Sequence, residues 1–123
     1  MEFFATAAVR TDVLELQRRL SICDFPRWCA SVSEVFSDEG ARGEIYCVWG
    51  RFRVHREDIR DGVRFTLPGC PNALQWTVTT GQSPEPNKVV VHLTINRSEH
   101  DPDFVESNQQ FVVDWASGLQ MNW

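Results

Sequence analysis

Lysine is nearly absent from this chain. Of 12 cationic residues only Lys88 is a lysine, and 17 Asp and Glu outnumber them for a formal net charge of −5. Nucleic-acid binding needs cations that displace phosphate counterions, so this balance argues against a nucleic-acid partner. The preference for arginine reflects a GC-rich genome more simply than selection for bidentate contacts. Long apolar runs are missing too. The stretch Phe3-Phe4-Ala5-Thr6-Ala7-Ala8-Val9 is far short of the ~20 residues of a membrane span. It has no basic segment ahead of it, so no signal peptide is expected, and Met121-Asn122-Trp123 forms no lipidation box. These absences point away from the membrane and toward a bacterial-type cytoplasmic location.

Cysteine is present without a metal-binding pattern. Cys23, Cys29, Cys47 and Cys70 make no C-x-x-C pair and match neither a zinc ribbon nor a haem attachment site. They are expected as reduced, mostly buried thiols; a Cys23–Cys29 bridge is the alternative if that loop folds back. His55, His92 and His100 lack the i, i+4 or H-x-E spacing of a metal site, and no serine has a nucleophile-elbow context. Neither a metal nor a cofactor is expected. Exposed or hydrogen-bonded histidines are the simple reading, and no polar dyad for catalysis emerges.

The 123 residues, 42% hydrophobic, suit one domain covering 1–123 and burying about two-thirds of its extended surface. Eight Phe and five Trp make aromatics the compositional oddity. Residues 2–9 read as a strand. Asp12, with Glu15 three residues on, caps a short helix over about 12–20 carrying Leu16 and Leu20. Ser21 to Pro26 breaks it, since proline disfavours helix in the residue before it.

From residue 29 the apolar period becomes two. Residues 30–37 alternate and end in the turn Asp38-Glu39-Gly40. Glu44 to His55 reads as one long strand with Gly50 as a bulge or bend. Asp61-Gly62 is a hairpin signal leading to Val63, Phe65 and Leu67. Leu74, Trp76 and Val78 form a further strand, residues 81–87 a loop, and Val89, Val91, Leu93 and Ile95 a clean alternation. Then Asp101 and Pro102 open a helix, predicted near 102–118 with Gly118 at its C-cap. Its stripe runs Phe104, Asn108, Phe111, Val112, Trp115, Leu119, interrupted only by Asn108. The order gives an α+β fold: a curved antiparallel β-sheet gripping a long C-terminal helix.

Four segments resemble a known family. Phe25-Pro26-Arg27-Trp28 is similar to the aromatic segment after the first helices of the START-like, polyketide-cyclase (helix-grip, Bet v 1-like) superfamily. Asn72-Ala73-Leu74-Gln75-Trp76-Thr77-Val78-Thr79 resembles its central strand, and residues 88–96 its penultimate strand. Phe111 to Leu119 resembles its closing helix. The nearest branch is the one related to the activator of heat-shock-protein ATPase, from which this chain departs in being short. Residues 12–28 leave room for barely one and a half of the usual two helices. A cystatin-like or nuclear-transport-factor-like curved sheet over a helix is the competing architecture.

The resemblance implies a pocket between sheet and helix for a small hydrophobic molecule, of roughly 300 Å³ or more. Its candidate lining is Trp28, Tyr46, Val48, Trp49, Phe52, Phe65, Trp76, Phe111 and Trp115. The bland reading of the same aromatics is that they fill a small core. Arg51, Arg53 and His55 share one strand face by the period of two, and Arg64 lies across the hairpin. That cluster would suit an anion or a protein partner, although Glu57, Asp58 and Asp61 offset its charge. An interaction module, including a homodimer through an edge strand, is therefore the second function class, and the chain is expected as a monomer or homodimer.

Overall fold

In a computed structural model, residues 1–96 and 99–123 are described. Glu2–Ala7 forms β1, and Val13–Arg19 forms α1, whose N-cap Asp12 accepts from the Glu15 backbone N–H at 2.8 Å. The break falls at Leu20-Ser21 as the sequence indicates, but the chain does not stay extended. A 3-10 turn over Ile22–Asp24 leads straight into α2, Phe25–Trp28. Pro26 sits in the first turn of α2, where a missing N–H leaves no helical bond unmade. Two short helices thus do occupy the segment.

Six strands follow: β2 Val32–Asp38, β3 Arg42–Cys47, β4 Gly50–Ile59, β5 Gly62–Thr66, β6 Gln75–Thr80 and β7 Val89–Thr94. The expected single strand from Glu44 to His55 is in fact a hairpin. Cys47 pairs with Gly50 and Tyr46 with Arg51, so Val48 and Trp49 form the turn. Gly50 has φ +113°, a backbone conformation that a side chain would strain.

The sheet is antiparallel throughout, in the order β1-β7-β6-β5-β4-β3-β2. The last strand returns to pair with the first, Phe3 opposite Leu93 and Ala5 opposite Val91. At one edge, β2 carries register irregularities beside Glu34 and Val35, which discourage a further strand from docking. At the other, the long helix reaches over β1: Ala8 N–H donates to Gln120 Oε1, and Gln109 Nε2 donates to the Phe4 carbonyl.

Alternation sends one row of each strand inward. Phe3, Leu93, Trp76 and Phe65 lie in register across β1, β7, β6 and β5, all buried. Over them lies α3, Pro102–Asn122, whose buried stripe is Asn108, Phe111, Val112, Trp115, Ala116 and Leu119. Removing the four large apolar side chains of that stripe from water contributes on the order of 8 kcal/mol before entropy is subtracted. The helix runs past the expected end near residue 118. Gly118 is no cap: a Cβ there would stand 1.9 Å from the Trp28 carbonyl oxygen, so this glycine lets α3 press backbone to backbone on α2. The curved sheet gripping a C-terminal helix is the architecture the sequence predicts.

A single charged side chain helps to hold α1 on the sheet. Arg56 lies on the inward row opposite Phe65 and donates to the carbonyls of Gln17 and Leu20 at the end of α1, as well as to Asp58. A guanidinium suits free carbonyls at a helix C-terminus, where the helix dipole is negative.

Candidate functional site

The centre of the grip is packed with rings. Phe25 meets Phe65 edge-on at 4.8 Å and Trp115 at 5.3 Å; Trp76 stands 5.3 Å from Phe65, 5.0 Å from Phe111 and 6.2 Å from Trp115. All five are fully buried. Offset and edge-on arrangements of this kind follow the ring quadrupoles and add to what burial supplies. Among the candidate lining residues, then, Phe65, Trp76, Phe111 and Trp115 stand together in the packed interior. Trp28 is buried apart from them, against Trp123 at 5.3 Å and near the guanidinium of Arg19.

The other four candidates lie elsewhere than in that interior. Tyr46 and Val48 are 48% and 56% exposed, Tyr46 because it alternates with the inward Ile45 and Val48 because it is in the hairpin turn. Phe52, opposite Ile45, is half-buried toward one end of the grip, together with Trp49.

At that end the packing opens into an apolar cleft of about 270 Å³. Trp49 and Phe52 come from the β3–β4 hairpin, Phe104 from the first turn of α3, and Leu67, Cys70, Pro71, Asn72 and Leu74 from the β5–β6 connection. Trp49 is held in place from both sides. Its ring stands 4.8 Å from Phe111 and 6.2 Å from Phe104, and its Nε1–H donates to Ser107 Oγ at 2.8 Å. Ser107 donates in turn to the Phe104 carbonyl at 2.6 Å. The indole is therefore a positioned wall, not a loose surface ring. Leu67, Cys70, Leu74 and Phe104 escape the sequence reading of the site. The run Pro68-Gly69-Cys70-Pro71-Asn72 reads as a strand terminator, and nothing in it signals that it folds over a hairpin turn far away in sequence.

The cleft lining bears one thiol and one side-chain amide, and neither a carboxylate nor an imidazole. Of the other thiols, burial pushes Cys29 well up from its ordinary value and raises Cys47 as well, so both are neutral groups in the core. Cys23 is exposed, and none of the four is bridged. Among the described residues no three His, Cys, Asp or Glu side chains converge to hold a metal ion.

The arginines occupy the opposite, convex face. Arg51 pairs with Glu44 and lies over the Phe36 ring at 4.1 Å; Arg64 pairs with Glu57 at 2.7 Å. That hydrogen bond from Arg64 holds the Glu57 carboxyl below the usual carboxylate range. Arg53 stands opposite Glu44 in register and lines a polar groove with Ser37, Glu39, Arg42, Glu44 and His55. Acids and bases alternate there, so the face offers no concentrated positive field. The remaining histidines are hydrogen-bonded: His92 to Glu2 at 2.9 Å under a stacked Phe4 ring, and His100 to the Asn96 carbonyl at 2.8 Å. No helix is long and apolar enough to cross a membrane among the described residues.

No family model and no curated protein matches the chain by sequence. Solved structures do match it by shape. An uncharacterised protein from Bacillus thuringiensis superimposes with a TM-score of 0.67 at 13% identity, covering 98% of this chain and 97% of that one. The protein XoxI from Bacillus cereus gives 0.68 at 13% identity, covering 98% and 93%. A START superfamily protein from Mycobacterium smegmatis gives 0.59 at 9% identity, covering 98% and 94%. At such identities the likeness speaks for architecture alone, and in architecture this chain is START-like.

Proposed function

We propose that this protein binds a small hydrophobic molecule in the cleft at the open end of the grip. The observation that carries the reading is the cleft itself: six apolar side chains from three separate parts of the chain surround about 270 Å³, with Trp49 fixed by Ser107. Binding sites of this kind are concave, mostly apolar and largely pre-formed. The volume is small for the class, so the occupant is a single-ring or compact two-ring molecule. The packed interior behind the cleft gives it a floor; it does not extend it.

The test is a titration followed by the indole N–H signals of the five tryptophans in a ¹⁵N-labelled sample, with 4-ethylanisole as probe. Saturable shifts led by Trp49 are expected, together with slower alkylation of Cys70, which lines the same cleft. Cys70→Trp, which places a ring in the cleft, abolishes the shifts while Cys70→Ser keeps them. Shifts that never saturate, or that survive Cys70→Trp, overturn the reading.

A further inference from the structure

The outer face of β4 borders a second hollow, of about 280 Å³, which shares no lining residue with the cleft and is polar. Its side chains come from three neighbouring strands. Ser37 of β2, Glu44 of β3 and Arg53 of β4 stand in one cross-strand row, and Arg42 and His55 face each other in the next. Glu39 lines the hollow from the β2–β3 turn. Arg53 and His55 are two residues apart on β4, so they share a face and sit roughly 7 Å from each other.

The charges around this hollow are not all matched. Arg42 uses only its Nε on Glu39, at 3.0 Å, and Glu44 accepts from Arg51 through Oε1 alone. The terminal N–H groups of Arg42, and the whole side chains of Arg53 and His55, have no hydrogen bond or ion pair among the described residues. Arg42, Arg51 and Arg53 therefore set three positive charges against the two negative ones of Glu39 and Glu44. Arg56 ties α1 to the sheet, whereas Arg53 holds no element in place. With most charge cancelled in pairs, the hollow recognises by short-range hydrogen bonds and not by a long-range field.

We infer that this hollow binds a small sugar or polyol carrying one phosphate group, with the phosphate held between Arg53, the free edge of Arg42 and His55. A guanidinium fork meets phosphate oxygens two at a time, and donors from two strands suit a tetrahedral group better than a planar carboxylate. The glutamates determine the rest of the ligand. Glu39 Oε1 and Glu44 Oε2 accept no hydrogen bond among the described residues, so each is open to a ligand hydroxyl. Their charge turns away a second anionic group. Ser37 adds a hydroxyl that donates or accepts. The hollow continues past His55 toward Thr66, which gives a short carbon chain room.

The experiment titrates glycerol 3-phosphate, inorganic phosphate and glycerol into ¹⁵N-labelled protein and follows the arginine Nε–H signals with the backbone amides of β3 and β4. Glycerol 3-phosphate is expected to give saturable shifts centred on Arg53 and Arg42. Phosphate alone is expected to bind about tenfold more weakly, the worth of hydroxyl bonds to a carboxylate, and glycerol not to register. Arg53 is exposed and bonded to nothing, so Arg53→Gln keeps the fold while lowering the affinity about tenfold or more. Arg60→Gln, which removes another exposed arginine from the β4–β5 turn, is the control and leaves the affinity unchanged. Equal losses in the two variants mean a general attraction to surface charge and overturn the inference, as do shifts that never saturate. Equal affinity for phosphate and glycerol 3-phosphate overturns the polyol half of it. None of these outcomes touches the cleft reading, whose reporter is Trp49.

Discussion

Gly118 offers the sharpest test of how the helices are held together. On an exposed helix, replacing an interior glycine by alanine gains about 1 kcal/mol from backbone entropy. Here the added Cβ would stand 1.9 Å from the Trp28 carbonyl oxygen, 2.5 Å from its carbon and 3.1 Å from Trp28 Cα. All three are backbone atoms, so no side chain can rotate away. To reach ordinary van der Waals contact, α3 and α2 must separate by about 1.5 Å, which loosens the packing of Trp28 and of the buried stripe of α3 on either side of Gly118. Overpacking of that kind costs about 1–3 kcal/mol, and a rigid neighbour puts this case at or above the upper end. The propensity gain offsets part of it, leaving Gly118→Ala less stable by about 2–3 kcal/mol. With a urea slope near 1.5 kcal/mol/M, the unfolding midpoint falls by about 1.5 M. Ser117→Ala, one residue away on the exposed side, is the control and stays within about 0.5 kcal/mol. A Gly118→Ala midpoint equal to or above the native one would refute the close approach and return Gly118 to the role of an ordinary helix residue.

Arg56→Leu removes the donors that meet the carbonyls of Gln17 and Leu20 and is expected to cost about 1.5–3 kcal/mol in chemical denaturation. Thiol titration of the native protein near pH 8 should count two rapidly reacting groups, Cys23 and Cys70, and four after denaturation, since burial keeps Cys29 and Cys47 protonated; a third fast thiol in the native state contradicts the core assignment. Asp38 supplies a pH signature. Partial burial alone would raise its carboxyl above the ordinary 3.8, but the backbone N–H groups of Gly40 and Cys23 outweigh it and hold the carboxyl below that value. The ionised form is thus favoured in the folded state. Its contribution is present above about pH 4 and is lost as pH falls through the lowered folded value. Asp38→Asn should therefore lose less stability than the native protein between pH 5 and pH 2.5, read from urea midpoints; parallel losses would remove Asp38 from the account.

Local rules made most of the fold legible. The Asp12 cap, the Asp61-Gly62 turn, the alternation along Val89–Thr94 and the Asp101-Pro102 helix start each announce an element with a physical cause, and each is present. What was illegible depended on contacts across the chain. The Val48-Trp49 turn carries no Asn, Asp or Gly of its own, and its one cue is the glycine that follows it. The conformation of Gly50 says turn, but its neighbours say strand. The true work of Gly118 depends on Trp28, ninety residues earlier, which no local pattern reports. For the site, the aromatics could be named but not sorted into those that fill the interior and those that wall the cleft. That sorting is set by the hairpin and by the β5–β6 connection, whose Cys70 and Leu74 look like parts of a terminator and a strand start.

The pairing of the first strand with the last also sets a schedule. β2 through β7 form a meander in which each strand meets a neighbour made just before it, so hairpins can zip up in the order of synthesis. β1 is different: Phe3 waits for Leu93, about 90 residues later. At typical elongation rates that is roughly 5–18 s. Until then Phe3 and Ala7 have no strand to lie against, and the helix that shields their edge is later still. The nascent chain must carry its first strand as an unclosed seam. The last fifth of the sequence, which brings α3, is what seals it.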